Sequence, residues 1–197
     1  MRSLSTTTRP TALLALLLLV AGCAGAAKSR VPAEHTTKIL SATATAEEDL
    51  VAAKQLMREE RYLDAFRTVL NRLKSLDNQI YDEYKLKSAA YLEGDLPTVR
   101  GYAVLIGELE KAEDALLQYL NEPLTVVLEK ILLNNPDPRA KDEALDVIAG
   151  SANEVFTQFQ EGYRQDLLDN LEVRAKGETD VALRTKMLKI IETLNAI

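Results

Sequence analysis

The sequence predicts an all-α chain of antiparallel helical hairpins stacked into a short α-solenoid. Three observations predict it. With zero Trp, three Phe and eight Gly, the composition is dominated by Leu, Ala, Glu and Lys, which helices favour. Apolar residues recur at three-to-four spacing from residue 45 onward, and no stretch alternates apolar with polar as a strand would. Finally, turn-like segments recur at separations of 34 and 43 residues. One hairpin cannot bury its own apolar face, so neighbours must stack. A compact helical bundle is the alternative architecture.

Residues 1–22 read as a secretory signal. Arg2 and Arg9 supply the positive n-region, and residues 12–21 are an unbroken apolar run. As a helix that run is about 15 Å long, half the hydrocarbon thickness of a bilayer, and so too short to span it. No Arg-Arg pair is present, which favours the general secretory route. Val20-Ala21-Gly22-Cys23 resembles a bacterial lipobox. The resemblance implies removal of the leader and lipidation of Cys23. It also implies the periplasmic face of the outer membrane, because Ala24 rather than Asp follows the Cys. Several acyl chains on one Cys anchor firmly where one holds weakly. Cys23 is the only Cys, so no disulfide can form within the chain.

Residues 23–44 read as a flexible tether containing His35, with a coil reach of roughly 25 Å. Residues 45–197 read as one helical repeat domain, large enough to bury a core without staples. The formal charge is −6, and loss of Arg2 and Arg9 with the leader makes the remainder more acidic. That balance argues against nucleic acid as a partner.

Within the domain, Thr45 with Glu48 forms a capping-box pattern. It opens a first helix with Leu50, Ala53, Leu56 and Met57 on one side. A turn at residues 59–61 leads to a second helix over 62–76, closed by Asp77-Asn78. A third covers 80–92 and stops at Gly94, suited to the left-handed C′ position. Pro97 sits in the first turn of a fourth. A short fifth is expected over 112–120, and Pro123 opens a sixth. Residues 134–138 form the clearest break. Helices follow over 139–149, over 153–175 with a soft point at Gly162, and over 180–195. In the last, Leu183, Met187, Leu188, Ile190, Ile191 and Leu194 are expected to face the core. Arg184, Lys186 and Lys189 are expected to lie in solvent.

Residues 61–65, Arg-Tyr-Leu-Asp-Ala, return as Asp-Leu-Pro-Thr-Val at 95–99. With Gly94-Asp95, Tyr62 and Ala65, this resembles the tetratricopeptide repeat over residues 45–112. Glu60, Arg72 and Val99 depart from that pattern. Asp137, Ala144-Leu145 and Val147-Ile148 are echoed 43 residues later by Asp180, Met187-Leu188 and Ile190-Ile191. This resembles the second helix of a HEAT or armadillo repeat over residues 113–197. Together the resemblances imply a right-handed superhelix.

Catalytic chemistry is not in evidence. The only His lies in the tether, so no Ser-His or Cys-His pairing is available. No phosphate-binding Gly-rich loop or metal-ligand spacing occurs, and no metal or cofactor is expected beyond the lipid on Cys23. Helical lytic transglycosylases of the periplasm place Ser after their catalytic Glu, and no Glu-Ser pair occurs here. The expected site is a binding groove. Tyr81, Tyr84 and Tyr91 share one side of their helix. The tetratricopeptide alignment places them beside Leu50, Lys54 and Met57. Tyr is a favoured interface anchor. The expectation is a lipid-anchored adaptor that docks an envelope protein. An accessory or small-ligand-binding lipoprotein is the alternative, and a peptidoglycan-active enzyme is a third.

Overall fold

The computed structural model describes residues 31–150 and 161–196. Helix is the regular structure throughout the described residues, and none of them is in a strand. The order is α1 (Ala33–Arg58), α2 (Tyr62–Leu92), α3 (Leu96–Val126), a π-helical continuation (Val127–Leu133), α4 (Pro138–Ala149), α5 (Glu161–Gly177) and α6 (Val181–Asn195). The leader, Cys23 and the start of the helix expected at residue 153 lie outside the described residues.

α1 corrects the tether. It starts at Ala33, with Pro32 as N-cap and the His35 amide bonding to the Pro32 carbonyl at 3.0 Å. Ile39, Ala42, Ala46 and Ala53 are buried along it. Small residues at three-to-four spacing let α1 approach its neighbours closely. Hydroxyls along it are satisfied inside the helix: Thr37, Thr43 and Thr45 donate to the carbonyls of Ala33, Leu40 and Ser41. Thr45 is therefore mid-helix and not an N-cap.

α2 runs unbroken through Asp77-Asn78, because both residues sit on the outer face while Leu73, Leu76, Ile80, Glu83 and Ala90 continue the buried stripe. α3 likewise merges the expected fourth, fifth and sixth helices, with Pro97 at its start and Pro123 buried inside it. The expected join between the tetratricopeptide-like and HEAT-like stretches, at residues 112 and 113, falls within α3. Leu116, Leu120, Leu124, Leu128 and Leu132 repeat every four residues, and all are buried. On a pure α-helix that spacing drifts by about 40° per step. The wider i→i+5 winding of the π segment takes up the drift and keeps Leu128 and Leu132 on the core.

α1 packs on both α2 and α3, which pack on each other, so the first half is a closed three-helix bundle. Each 34-residue unit holds one long helix instead of a helix pair. Both turns are Schellman closures. Glu60 (φ 60°) and Gly94 (φ 74°) occupy the left-handed position. The Arg61 amide bonds to the Leu56 carbonyl at 2.9 Å, and the Asp95 amide to that of Ala90 at 3.0 Å. The 43-residue echo marks two N-caps: the Asp137 carboxylate accepts from the Arg139 amide, and the Asp180 carboxylate from the Ala182 and Leu183 amides. α6 packs on α4 and α5, and α4 and α5 each pack on the π segment. Arg67 with Glu143, at 2.6 Å, and Lys74 donating to the Gly150 carbonyl, at 2.6 Å, tie α2 to α4.

Two expectations for α6 change. Leu188 is 53 % exposed, whereas Leu145, its counterpart in the echo, is fully buried. Lys186, though partly exposed, is paired: it bridges Asp142 at 2.5 Å and Asp146 at 2.7 Å on α4. The hydrogen bonds that its ammonium donates to these two carboxylates raise its pKa.

Candidate functional site

α2 positions the three tyrosines. Its buried stripe fixes the rotation of the helix, and that rotation leaves Tyr81, Tyr84 and Tyr91 exposed. The Lys85 ammonium stands 3.9 Å from the Tyr81 ring centre, and that of Lys87 5.1 Å from the Tyr84 ring centre. Such contacts are cation–π pairs, modest at a wet surface. The Tyr84 hydroxyl donates to a Glu110 carboxylate oxygen on α3 at 2.8 Å. That hydrogen bond, with the charge of Glu110, raises the phenol pKa.

Leu50, Lys54 and Met57 do not join them. α1 runs antiparallel to α2, with Asp49 against Arg72 at 2.6 Å and His35 against Glu83 at 3.3 Å. Leu50 is thus level with about residue 71, roughly 15 Å along α2 from Tyr81. Leu50 and Met57 pack, half-buried, on the core. Lys54 lies over the Tyr119 ring, 5.4 Å from its centre. The expected groove divides because each helix is longer than a hairpin arm, which shifts the level at which residues meet.

Three polar features escaped the sequence reading. Glu83 is 1 % exposed, and its Oε1 meets His35 Nδ1 while Oε2 has no hydrogen-bond partner. The Tyr102 ring stands edge-on to His35 at 6.1 Å. His35 is therefore part of the bundle, not of a solvated linker. The spacing of His35, Ile39, Ala42 and Ala46 was the available signal. On α3, Glu113 is pushed up to about 7, first by burial and then by the charges of Asp77, Asp114 and Glu110. In the second half, a cleft of about 200 Å³ lies beside the π segment, lined by Asn121, Thr125, Glu129, Asp166 and Asn170 among others. Nearby on α5, burial lowers the pKa of Arg174, whose Nε and Nη1 have no hydrogen-bond partner.

Comparison of the chain with protein-family models, curated proteins and solved structures finds no match. The tetratricopeptide and HEAT resemblances stand on their quoted residues alone.

What the arrangement can do is bind. The tyrosine face offers apolar ring bodies with polar tips, lysines on its own helix and carboxylates on α3. Among the described residues, no group of three or more His, Cys, Asp and Glu is placed to hold a metal, and no helix is long and apolar enough to cross a membrane.

Proposed function

We propose that the chain is a lipid-anchored adaptor on the periplasmic face of the outer membrane, docking a protein of an envelope assembly, secretion or transport machine. The anchor is acylated Cys23, and no catalytic step is assigned. The stacked-hairpin architecture is carried forward only for α4–α6. The observation that carries the docking reading is the exposure of Tyr81, Tyr84 and Tyr91 along one helix, at positions the core does not use. The small-ligand alternative is weaker on size and chemistry. The π-segment cleft, at about 200 Å³, falls below the range of about 300–1,000 Å³ typical of ligand pockets. The larger hollow of about 410 Å³ between α4 and α6, where Pro138, Ala182 and Leu183 lie beside Asp142, Glu143, Asp146 and Asp180, is wide open to solvent, whereas ligand pockets bury most of their ligand's surface.

The test is cross-linked capture from the envelope with the acylated protein. A hot-spot Tyr contributes about 2 kcal/mol or more, and about 1.4 kcal/mol is tenfold in affinity. Tyr84→Ala combined with Tyr91→Ala should abolish capture while circular dichroism and melting temperature hold. Capture at wild-type yield by the folded double variant would remove the tyrosine face from the interface.

A further inference from the structure

The α2–α3 turn carries two leucines that the core leaves out. Leu92 is 86 % exposed and Leu96 is 53 % exposed. They flank Glu93-Gly94-Asp95, a turn that the chain builds twice, with a left-handed residue at the same position (Glu60 and Gly94) and the same closing bonds. In the other copy, Arg58 stands where Leu92 does, and Tyr62, half-buried on the core, stands where Leu96 does. The backbone therefore does not call for exposed leucines here. Tyr91, also exposed, adjoins them.

The two ends of the bundle also differ in their distance from Cys23. His35 meets Glu83, so α2 runs on for about 13 Å past that level before it ends at Leu92. The Leu92–Leu96 turn thus projects beyond the start of α1. Val31, the first described residue, packs on the core. The eight peptide links from Cys23 to Val31 span at most about 28 Å. A lipid on Cys23 holds the bilayer surface within that distance of Val31. The turn bearing Arg58 and Tyr62 lies at the far end of α1, 26 residues long or about 39 Å.

We infer that Leu92 and Leu96 seat in the interfacial layer of the membrane that holds the acylated chain. This rests on the anchor reading of Cys23. Leucine is a side chain that interfacial segments bury. The acidic Glu93 and Asp95 of the same turn select an electrically neutral, zwitterionic lipid surface over an anionic one.

The chain has no Trp, so one introduced Trp reports its own surroundings. The acylated full-length chain carrying Leu92→Trp is reconstituted on phosphatidylcholine vesicles, and Leu96→Trp repeats the measurement across the turn. Val51→Trp, at an exposed site far along α1, is the control. Circular dichroism verifies the fold, and mass spectrometry verifies the acyl group. The expected result is emission shifted to shorter wavelength and mostly lost to a lipid-phase quencher for Leu92→Trp and Leu96→Trp, with neither effect for Val51→Trp. Acylated, vesicle-bound chains in which Leu92→Trp and Leu96→Trp stay open to an aqueous quencher overturn the inference and leave the anchor standing. A shift that appears only when envelope protein is added overturns it in favour of a protein occupant. A chain extracted from cells with a free Cys23 thiol overturns the anchor reading, and the membrane contact with it.

Discussion

Glu113→Gln should stabilise the protein above neutral pH and do little in acid. The Glu113 carboxyl is half-buried on α3, its Oε1 has no hydrogen-bond partner, and three further carboxylates bear on it. Burial first, and those charges second, push its pKa from an ordinary 4.5 up to about 7. The folded state therefore holds this proton more tightly than the unfolded state does. The stabilisation is fully present below about pH 4.5 and is lost as pH rises through about 7. Fully expressed, a difference of that size is worth about 3 kcal/mol. Because the carboxyl is only half-buried, solvent screening reduces this to about 1–2 kcal/mol. Glutamine keeps the shape and removes the charge. In urea unfolding, the variant should gain about 1–2 kcal/mol over wild type at pH 8.5 and almost nothing at pH 4. The difference between the two proteins is the quantity to read, because the other carboxylates titrate in both. Parallel stability curves from pH 4 to 8.5 would refute the reasoning and put Glu113 in water.

Glu60→Gly should raise stability by about 1 kcal/mol, since a left-handed residue with a Cβ costs about 1–2 and glycine returns part of that as chain entropy; the urea midpoint reads it, and Gly94→Ala should move it the other way. Met187→Ala should cost about 2–5 kcal/mol as a core truncation, while Leu188→Ala stays within about 0.5; equal effects in thermal melts would mean that α6 is rotated from its described position. His35→Ala removes the hydrogen-bond partner of the buried Glu83 carboxylate and should cost about 1–3 kcal/mol, whereas the double variant with Glu83→Met should recover most of it. A double variant as unstable as His35→Ala alone would show that the carboxylate is not the source of the cost.

The helical class was legible in composition and spacing, and so were those ends that carry their own chemistry. Asp137 and Asp180 announce N-termini because their carboxylates bond the next amides, and Gly94 announces a C-terminus because its φ is positive. What failed were stops inferred from local signals against a longer stripe. Asp77-Asn78 and Pro123 read as breaks, yet the buried positions on either side stay in phase, and packing of that stripe outweighs local preference. The Thr-rich start of α1 failed for the reverse reason. Its hydroxyls bond back to their own helix, and alanines, weak in any hydropathy pattern, supply its buried face. The shared face of the tyrosines follows from spacing within one helix. Which α1 residues lie beside them depends on where two long helices meet, and no local pattern carries that information.

The four-residue leucine run ending in the π segment also makes the chain sensitive to length at one place. Residues 127–133 wind more slowly than the helix before them, so their residue number sets the direction in which the chain leaves toward α4. Adding one residue to the seven, with the winding otherwise unchanged, would turn everything downstream by about 80–100° about the α3 axis. Ala144, Leu145 and Ile148 would no longer arrive where the core receives them, and the Arg67–Glu143 and Lys74–Gly150 ties would open. An insertion there acts as a steering error for the C-terminal half, even where every side chain on α4, α5 and α6 is unchanged.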